Sequence, residues 1–490
     1  MRKEYKFLII LYFFVYLFFS FETDLILNNL FMLLLTILIF GINIFIISYK
    51  KLSTEKKFGI VAGLLGIILI FLIPILHGID EGAHFYKVYS FFSDISVPEE
   101  LKSNLEDAVP KAIIDANSVR SLQDTLELKN VKIDESQTLY TKDYIGAKLY
   151  SPISYLTYLL PMFVFKTLLN ADIYWIVIAG RIFSFIIWLL VSMYTIKLIP
   201  KRKDFIAFLC LMPISLTIVT TFTGDLLTNA TAFLFIAIWY KLYEEKRPIK
   251  LSEFLLITLL GILSCFAKIV YALIFLIMFL LPKECFKNIT QKNIYCFILT
   301  LILVFTCIFN LSFVGTDLLE YYPLIENQKE YIFNHPFDYL LTFIRTITKN
   351  FGYYIYQFTT GKTTICHNTI SVDNTISFIY FIALIASLFF EESEIKLSKK
   401  SKFLIFTIIF LVIFIIHTSL YVQWTANNEN EGIGNKLVIG VQGRYFIPIA
   451  VLSIFINSKK SIKVNKNDLW SLVILINFGI LLKICTRFLF

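Results

Sequence analysis

A chain of 490 residues, 57% of them hydrophobic and only 17% charged, with a mean hydropathy of +0.73, is a polytopic membrane protein; soluble domains carry about 25% charge. Its net charge of +9 does not point to a nucleic-acid partner, because the lysines cluster in short loops between apolar runs, where they set topology. The seven cysteines are scattered with no Cys-x-x-Cys pair, which argues against a disulfide framework and a zinc site.

The N-terminus, Met1-Arg-Lys-Glu-Tyr-Lys6, leads into an apolar run with no small-residue cleavage site after it, so it reads as a retained first span. Spans near 7–21 and 25–48 form a hairpin around Glu22-Thr-Asp24. The basic flanks Arg2-Lys3 and Lys50 to Lys57 put both of its ends in the cytoplasm. A third span, 58–78, then delivers Asp80 to the outer face. That span stops abruptly in Pro74-Ile-Leu-His-Gly-Ile-Asp-Glu-Gly-Ala-His-Phe-Tyr-Lys87. If the chain is helical from Asp80 onward, Asp80, His84 and Lys87 share one face, with Glu81 about 100° around the axis. The plainer reading makes Asp80 the N-cap of an interfacial helix and His84 a tolerated interfacial residue.

Residues 79–150 form a long outer loop with 13 acidic and 8 basic side chains, long enough for short helices of its own. Two spans at 153–169 and 173–198 would leave Lys197 to Lys203 on the outside, against the positive-inside rule. Pro152 and Pro161 break the first run, which therefore reads as short or re-entrant. Hairpins follow at 205–222 with 226–243, turning at Thr223-Gly-Asp225, and at 252–267 with 269–282, turning at Lys268. Beyond a span at 293–312 lies an outer segment, 313–375, with an amphipathic stretch at Phe337–Phe358. Spans at 376–390, 402–422, 444–457 and 468–488 complete about thirteen crossings. The expected fold is an all-α transmembrane bundle, divided into an N-terminal hairpin (1–57), a core (58–457) and a C-terminal span (458–490).

Three outer stretches carry the chemistry. The first is Asp80-Glu81 with His84. The second is Gly440-Val-Gln-Gly-Arg-Tyr445, in which Arg444 can present a planar fork to a phosphate or simply snorkel at a helix end; Gln442 and Tyr445 keep it company. The third is Lys268 with Tyr271, either a loop turn or a cation reaching into a cavity. Asp225 could assist an acceptor, although a turn or N-cap residue is the plainer reading. Arg181, inside an apolar run, needs a buried partner and suits structural pairing. His335, His367 and His417 lack ligand spacing, and no P-loop, Rossmann fingerprint or nucleophile elbow occurs. Carboxylates and an imidazole facing guanidinium and ammonium groups suit deprotonating a hydroxyl while an anionic leaving group is held. Outside the membrane the donor cannot be a cytoplasmic nucleotide sugar, whereas a lipid phosphate meets both constraints.

Asp80-Glu81-x-x-His84-Phe-Tyr, Tyr150-Ser-Pro-x-x-Tyr155, Arg181, Met212-Pro to Asp225, Ala267-Lys268 to Tyr271, Asn334-His-Pro336 and Gly440-Val-Gln-Gly-Arg-Tyr-Phe-Ile-Pro448 resemble, in this order, a bacterial family of polytopic membrane proteins of unknown function grouped with the GT-C glycosyltransferases. The resemblance covers roughly 58–457, the first two spans being an addition to its core. It implies an acidic motif in the first large outer loop, a polyprenyl-phosphate sugar donor, a glycan acceptor and inversion at the anomeric carbon. By position, Asp80 would be the general base with Glu81 its competitor, and His84 would orient the base or touch the donor phosphate. Arg444 and Lys268 would hold that phosphate, and Tyr445 or Gln442 the sugar, with Tyr271, Asp225 and Lys87 nearby. Asp80 with Glu81 is too little to assign a divalent cation. A polysaccharide polymerase or ligase would instead keep its key residues in a late outer loop, and a lipid-linked oligosaccharide flippase would line a path across the whole membrane. The expectation that carries most weight is that Asp80, Lys268 and Arg444 share one pocket.

Overall fold

The computed structural model describes residues 3–21, 26–49, 51–95, 98, 107–141, 144, 147, 150–321, 323–361, 372–391, 395–428, 432–456 and 465–489. The expected turn at Glu22-Thr-Asp24, Arg2, His367 and the basic stretch 459–464 lie outside them. Among the described residues the regular elements are helices but for one two-stranded antiparallel sheet, Asp107–Pro110 with Thr138–Thr141. Six helices among these residues are long and apolar enough to cross a membrane: Asn29–Ser48, Ile173–Leu198, Asp225–Glu245, Ile289–Leu311, Lys399–Thr425 and Lys466–Phe488. Helices satisfy every interior backbone group within one segment, which is what a span in hydrocarbon must do.

Shorter apolar segments lie at Phe7–Ser20, Leu251–Ala267, Ile269–Leu280, Asn374–Ser387 and Gly443–Phe455. Two of them are wound tightly. Ile269–Leu280 is a 3-10 helix throughout, and at about 2.0 Å per residue its twelve residues reach roughly 24 Å, against about 18 Å for an α-helix. Gly443–Phe455 runs 3-10, α, 3-10.

Proline reshapes two of the expected spans. The run 205–222 is not one helix but two buried ones, Lys203–Cys210 and Pro213–Val219. Pro213 starts a new helix and holds Met212 extended (φ −52°, ψ 135°). The run 153–169 splits into a 3-10 turn at Pro152–Tyr155, a helix at Leu156–Met162 that contains Pro161, and a π-helical turn at Phe163–Leu168, as its prolines led us to expect.

The Asp225–Glu245 helix is the most enclosed of the six, packed between Ile173–Leu198 and Leu251–Ala267. The N-terminal hairpin and the last helix pack on one another, although they are remote in sequence. Asn43 Nδ2 donates to Tyr12 Oη at 2.9 Å and Ser471 Oγ donates to Asn43 at 3.0 Å; Tyr12 stacks on Phe478. Trp470 Nε1 donates to Asp204 at 2.9 Å, fastening the last helix to the broken segment.

Candidate functional site

The site begins with a buried ion pair that bends the chain. Arg181, in the first half of Ile173–Leu198, meets Glu81 with both side chains 0% exposed. Its Nε and Nη2 donate to the two Glu81 oxygens at 2.8 and 2.6 Å. Its other bonds go to the carbonyls of Ile70, Ile73 and Pro74 at 2.7–3.0 Å, of which Ile70 and Ile73 are groups left open where helix Thr54–Leu72 ends, while Pro74 also accepts the His77 N–H. Glu81 takes two more bonds, from the backbone N–H of Gly78 at 2.8 Å and of Phe222 at 3.0 Å. One residue pair therefore joins the end of the third apolar helix, the start of helix Glu81–Ser90 and the loop before Asp225. Structural pairing of Arg181 was expected. Glu81 as a competing base does not fit, because its carboxylate is enclosed and each oxygen already accepts two hydrogen bonds.

Asp80 sits one residue before that helix in a left-handed conformation (φ 53°, ψ 18°), which Asp tolerates better than most residues. The expected helical face of Asp80, His84 and Lys87 therefore does not form. The Asp80 carbonyl accepts the His84 N–H at 3.1 Å, but its carboxylate makes no capping bond and turns to Arg444 instead. Arg444 Nη2 donates to Asp80 Oδ2 at 2.8 Å across 364 positions of sequence. The guanidinium is 5% exposed and the Asp80 carboxyl 55%. Lys87 lies with its ammonium 5.6 Å from the Phe91 ring.

Around this contact the expected stretches converge. Arg444 Nη1 is 3.6 Å from Asp225 Oδ2, and Asp225 is hydrogen-bonded to Lys268. Asp225 opens its helix as the turn reading foresaw, but its side chain goes to these two cations. Lys268 caps helix Leu251–Ala267, and its ammonium lies 4.6 Å from the Tyr445 ring and 5.6 Å from that of Tyr150, within cation–π range. Tyr271 Oη donates to the Tyr445 carbonyl at 2.6 Å, so it braces the backbone beside Arg444. Gly443 brings that backbone against helix Pro336–Thr359. A Cβ there would stand 2.3 Å from the Tyr354 carbonyl and 2.4 Å from the Phe358 nitrogen, a space only glycine fills. Its N–H donates to Gln357 Oε1 at 3.0 Å. Among the described residues Arg444 Nε and Nη1 and Gln442 Oε1 are buried without a hydrogen-bond partner.

His84 is buried behind Asp80, its Nδ1 2.6 Å from Tyr155 Oη and its ring edge-on to Tyr150 at 5.2 Å. Burial pushes the imidazole down to about 4, outweighing the opposite pull of Asp80 and Asp225. It is neutral at physiological pH. Burial likewise pushes the Tyr150 phenol up to about 12. Tyr150 and Tyr155 belonged to the family-like motif but had no role assigned. The signal was two aromatic rings with polar tips where an apolar run begins.

The remaining histidines stand apart from the cluster: His335 faces Asp338 at the surface, and His417 packs among Tyr354, Phe343 and Phe446. His77, which had no role assigned, is buried with its Nε2 2.6 Å from Arg120 Nη1. Among the described residues no three His, Cys, Asp or Glu side chains are grouped to hold a metal ion.

No curated protein and no solved structure matches this chain significantly. One family does, described as a predicted membrane protein (DUF2142), and it matches residues 64–453. That span contains Asp80, His84, Asp225, Lys268 and Arg444, and it excludes the N-terminal hairpin and the last helix. With four-fifths of its length inside the match, the chain belongs to the DUF2142 family of predicted membrane proteins.

Proposed function

We propose that this chain is an integral membrane glycosyltransferase of the GT-C type. It moves a sugar from a polyprenyl-phosphate donor to a hydroxyl of a cell-surface glycan, on the outer face of the cytoplasmic membrane and with inversion. The observation that carries this reading is the meeting of a half-exposed carboxylate, Asp80, with a buried guanidinium, Arg444, beside the Asp225–Lys268 pair. Asp80 takes the proton of the acceptor hydroxyl, whose oxygen forms the new bond to the anomeric carbon. The bond from that carbon to the phosphate oxygen breaks, and Arg444 and Lys268 hold the departing phosphate. Neutral His84 lies beside the base, while Gln442 and Tyr445 border the sugar. The topology that accompanies this reading has about thirteen crossings, short and broken segments included, with the first large loop outside. No step is assigned to a divalent cation.

A polymerase or ligase that works from a late loop alone would have no use for the Asp80 contact, which ties the first loop to Arg444. A flippase would use charges along the whole path, whereas Asp80, Asp225, Lys268 and Arg444 form one cluster.

The test is sugar transfer by the purified full chain in polyprenyl-phosphate-sugar micelles. The wild type is expected to transfer, and Asp80→Asn to lose transfer while still eluting as folded, monodisperse protein. Full activity in Asp80→Asn would remove the base from this scheme.

A further inference from the structure

Arg181 and Arg444 are both buried arginines facing carboxylates, and they spend their donors differently. Arg181 directs all three guanidinium nitrogens to acceptors. Among the described residues Arg444 spends Nη2 on Asp80, its Nε and Nη1 are buried with no hydrogen-bond partner, and Nη1 stands 3.6 Å from Asp225. Buried donors left unspent are costly. Each of them makes a two-point fork only together with Nη2, as Nε and Nη2 of Arg181 do on Glu81, so a phosphate gripped at two points has to take Nη2 from Asp80. Among the described residues the charges of the cluster cancel: Asp80 and Asp225 against Arg444 and Lys268, with His84 neutral. A phosphate entering this balanced group gains a net cation only if one carboxylate lets go.

Asp225 is enclosed and held by Lys268, so it cannot be the one to leave. Asp80 is 55% exposed, and water can replace its contact with Arg444 at little cost. Arg444, 5% exposed, cannot stand alone; an uncompensated buried charge is strongly unfavourable.

We infer that the Asp80–Arg444 contact is a resting lock that an incoming phosphate group opens, taking the guanidinium and releasing the Asp80 carboxylate. This deepens the glycosyltransferase reading and rests on it for the role of the released base. While bound to Arg444, Asp80 has a positive charge beside it, which is unfavourable to accepting a proton. Once the phosphate has replaced it, the carboxylate is available to an acceptor hydroxyl. The donor therefore binds before the acceptor is deprotonated, and an empty site holds no competent base.

The probe is farnesyl phosphate, titrated onto the full chain in detergent by calorimetry, with inorganic phosphate and farnesol as separate arms. Asp80→Asn removes the competing charge and keeps the left-handed backbone, since Asn tolerates it as well as Asp. The lock predicts that farnesyl phosphate binds Asp80→Asn about tenfold more tightly than wild type. Arg444→Ala is expected to bind it weakly, and adding Asp80→Asn to Arg444→Ala to bring no gain. Tightening for farnesyl phosphate alone assigns the ligand to a lipid headgroup; equal tightening for inorganic phosphate assigns a free anion, and either result supports the lock. Unchanged or weaker binding to Asp80→Asn overturns it. So does an equal gain in the Arg444→Ala background, tightening of farnesol, or absence of farnesyl phosphate binding to every variant. None of these readings needs sugar transfer, so a failed transfer assay and a failed lock are told apart.

Discussion

Arg181→Ala is expected to abolish recovery of folded protein. The substitution leaves Glu81 fully buried with its charge opposed by two backbone N–H groups, and opens the carbonyls of Ile70 and Ile73 at the end of helix Thr54–Leu72. Breaking one side of a buried pair costs about 3–5 kcal/mol, a large share of the 5–15 kcal/mol that holds a typical domain folded. Glu81→Ala leaves the guanidinium stranded and should fail similarly. The measurement is the yield of monodisperse protein and its melting temperature in detergent, compared with Asp80→Asn. An asparagine at position 80 keeps an acceptor for Arg444, and Asp225 remains 3.6 Å from the guanidinium, so that variant should melt much nearer the wild type than Arg181→Ala does. Arg181→Ala protein of wild-type yield and melting temperature would mean that this pair does not hold the elbow.

Arg444→Lys is expected to lower the proposed transfer about 10²–10³-fold, the loss that follows removal of one preorganised donor to a developing charge. The arginine reaches Asp80 and Asp225 from two nitrogens of one rigid plane. A lysine supplies one compact ammonium with no fork and cannot bridge both. The fold should survive, because Asp225 keeps Lys268 and a cation still occupies the place of Arg444. Steady-state transfer with matched melting curves checks this; activity within about threefold of wild type would assign Arg444 to charge balance alone.

Much of this architecture is legible in the order of residues. Long apolar runs such as 173–198 and 466–488 can satisfy their backbone in hydrocarbon only as helices. Pro161 announced a broken segment, and an arginine at position 181 demanded a partner. The chemistry-bearing stretches, sorted by residue type, did come together in space. What the one-dimensional pattern missed is direction. Helical periodicity placed Asp80 on the face of His84, yet the chain turns left-handed at Asp80, and the deciding partners Arg181 and Phe222 lie 100 and more positions away. For the same reason Glu81, adjacent to Asp80 and chemically alike, becomes an anchor rather than a reactive group. Pro213 outweighed the apolar run around it, splitting an expected span. Tyr150 and Tyr155 acquire meaning only once Lys268 and His84 are seen against their rings.

The approach of the first loop to the stretch around Arg444 underlies every role given above, and a short bifunctional thiol reagent measures it in native membranes. In a chain carrying both Asp80→Cys and Arg444→Cys, treatment should yield a linked peptide containing positions 80 and 444, found by mass spectrometry and missing from each single variant and the wild type. Both thiols reacting singly with a maleimide while no such linked peptide forms would contradict it.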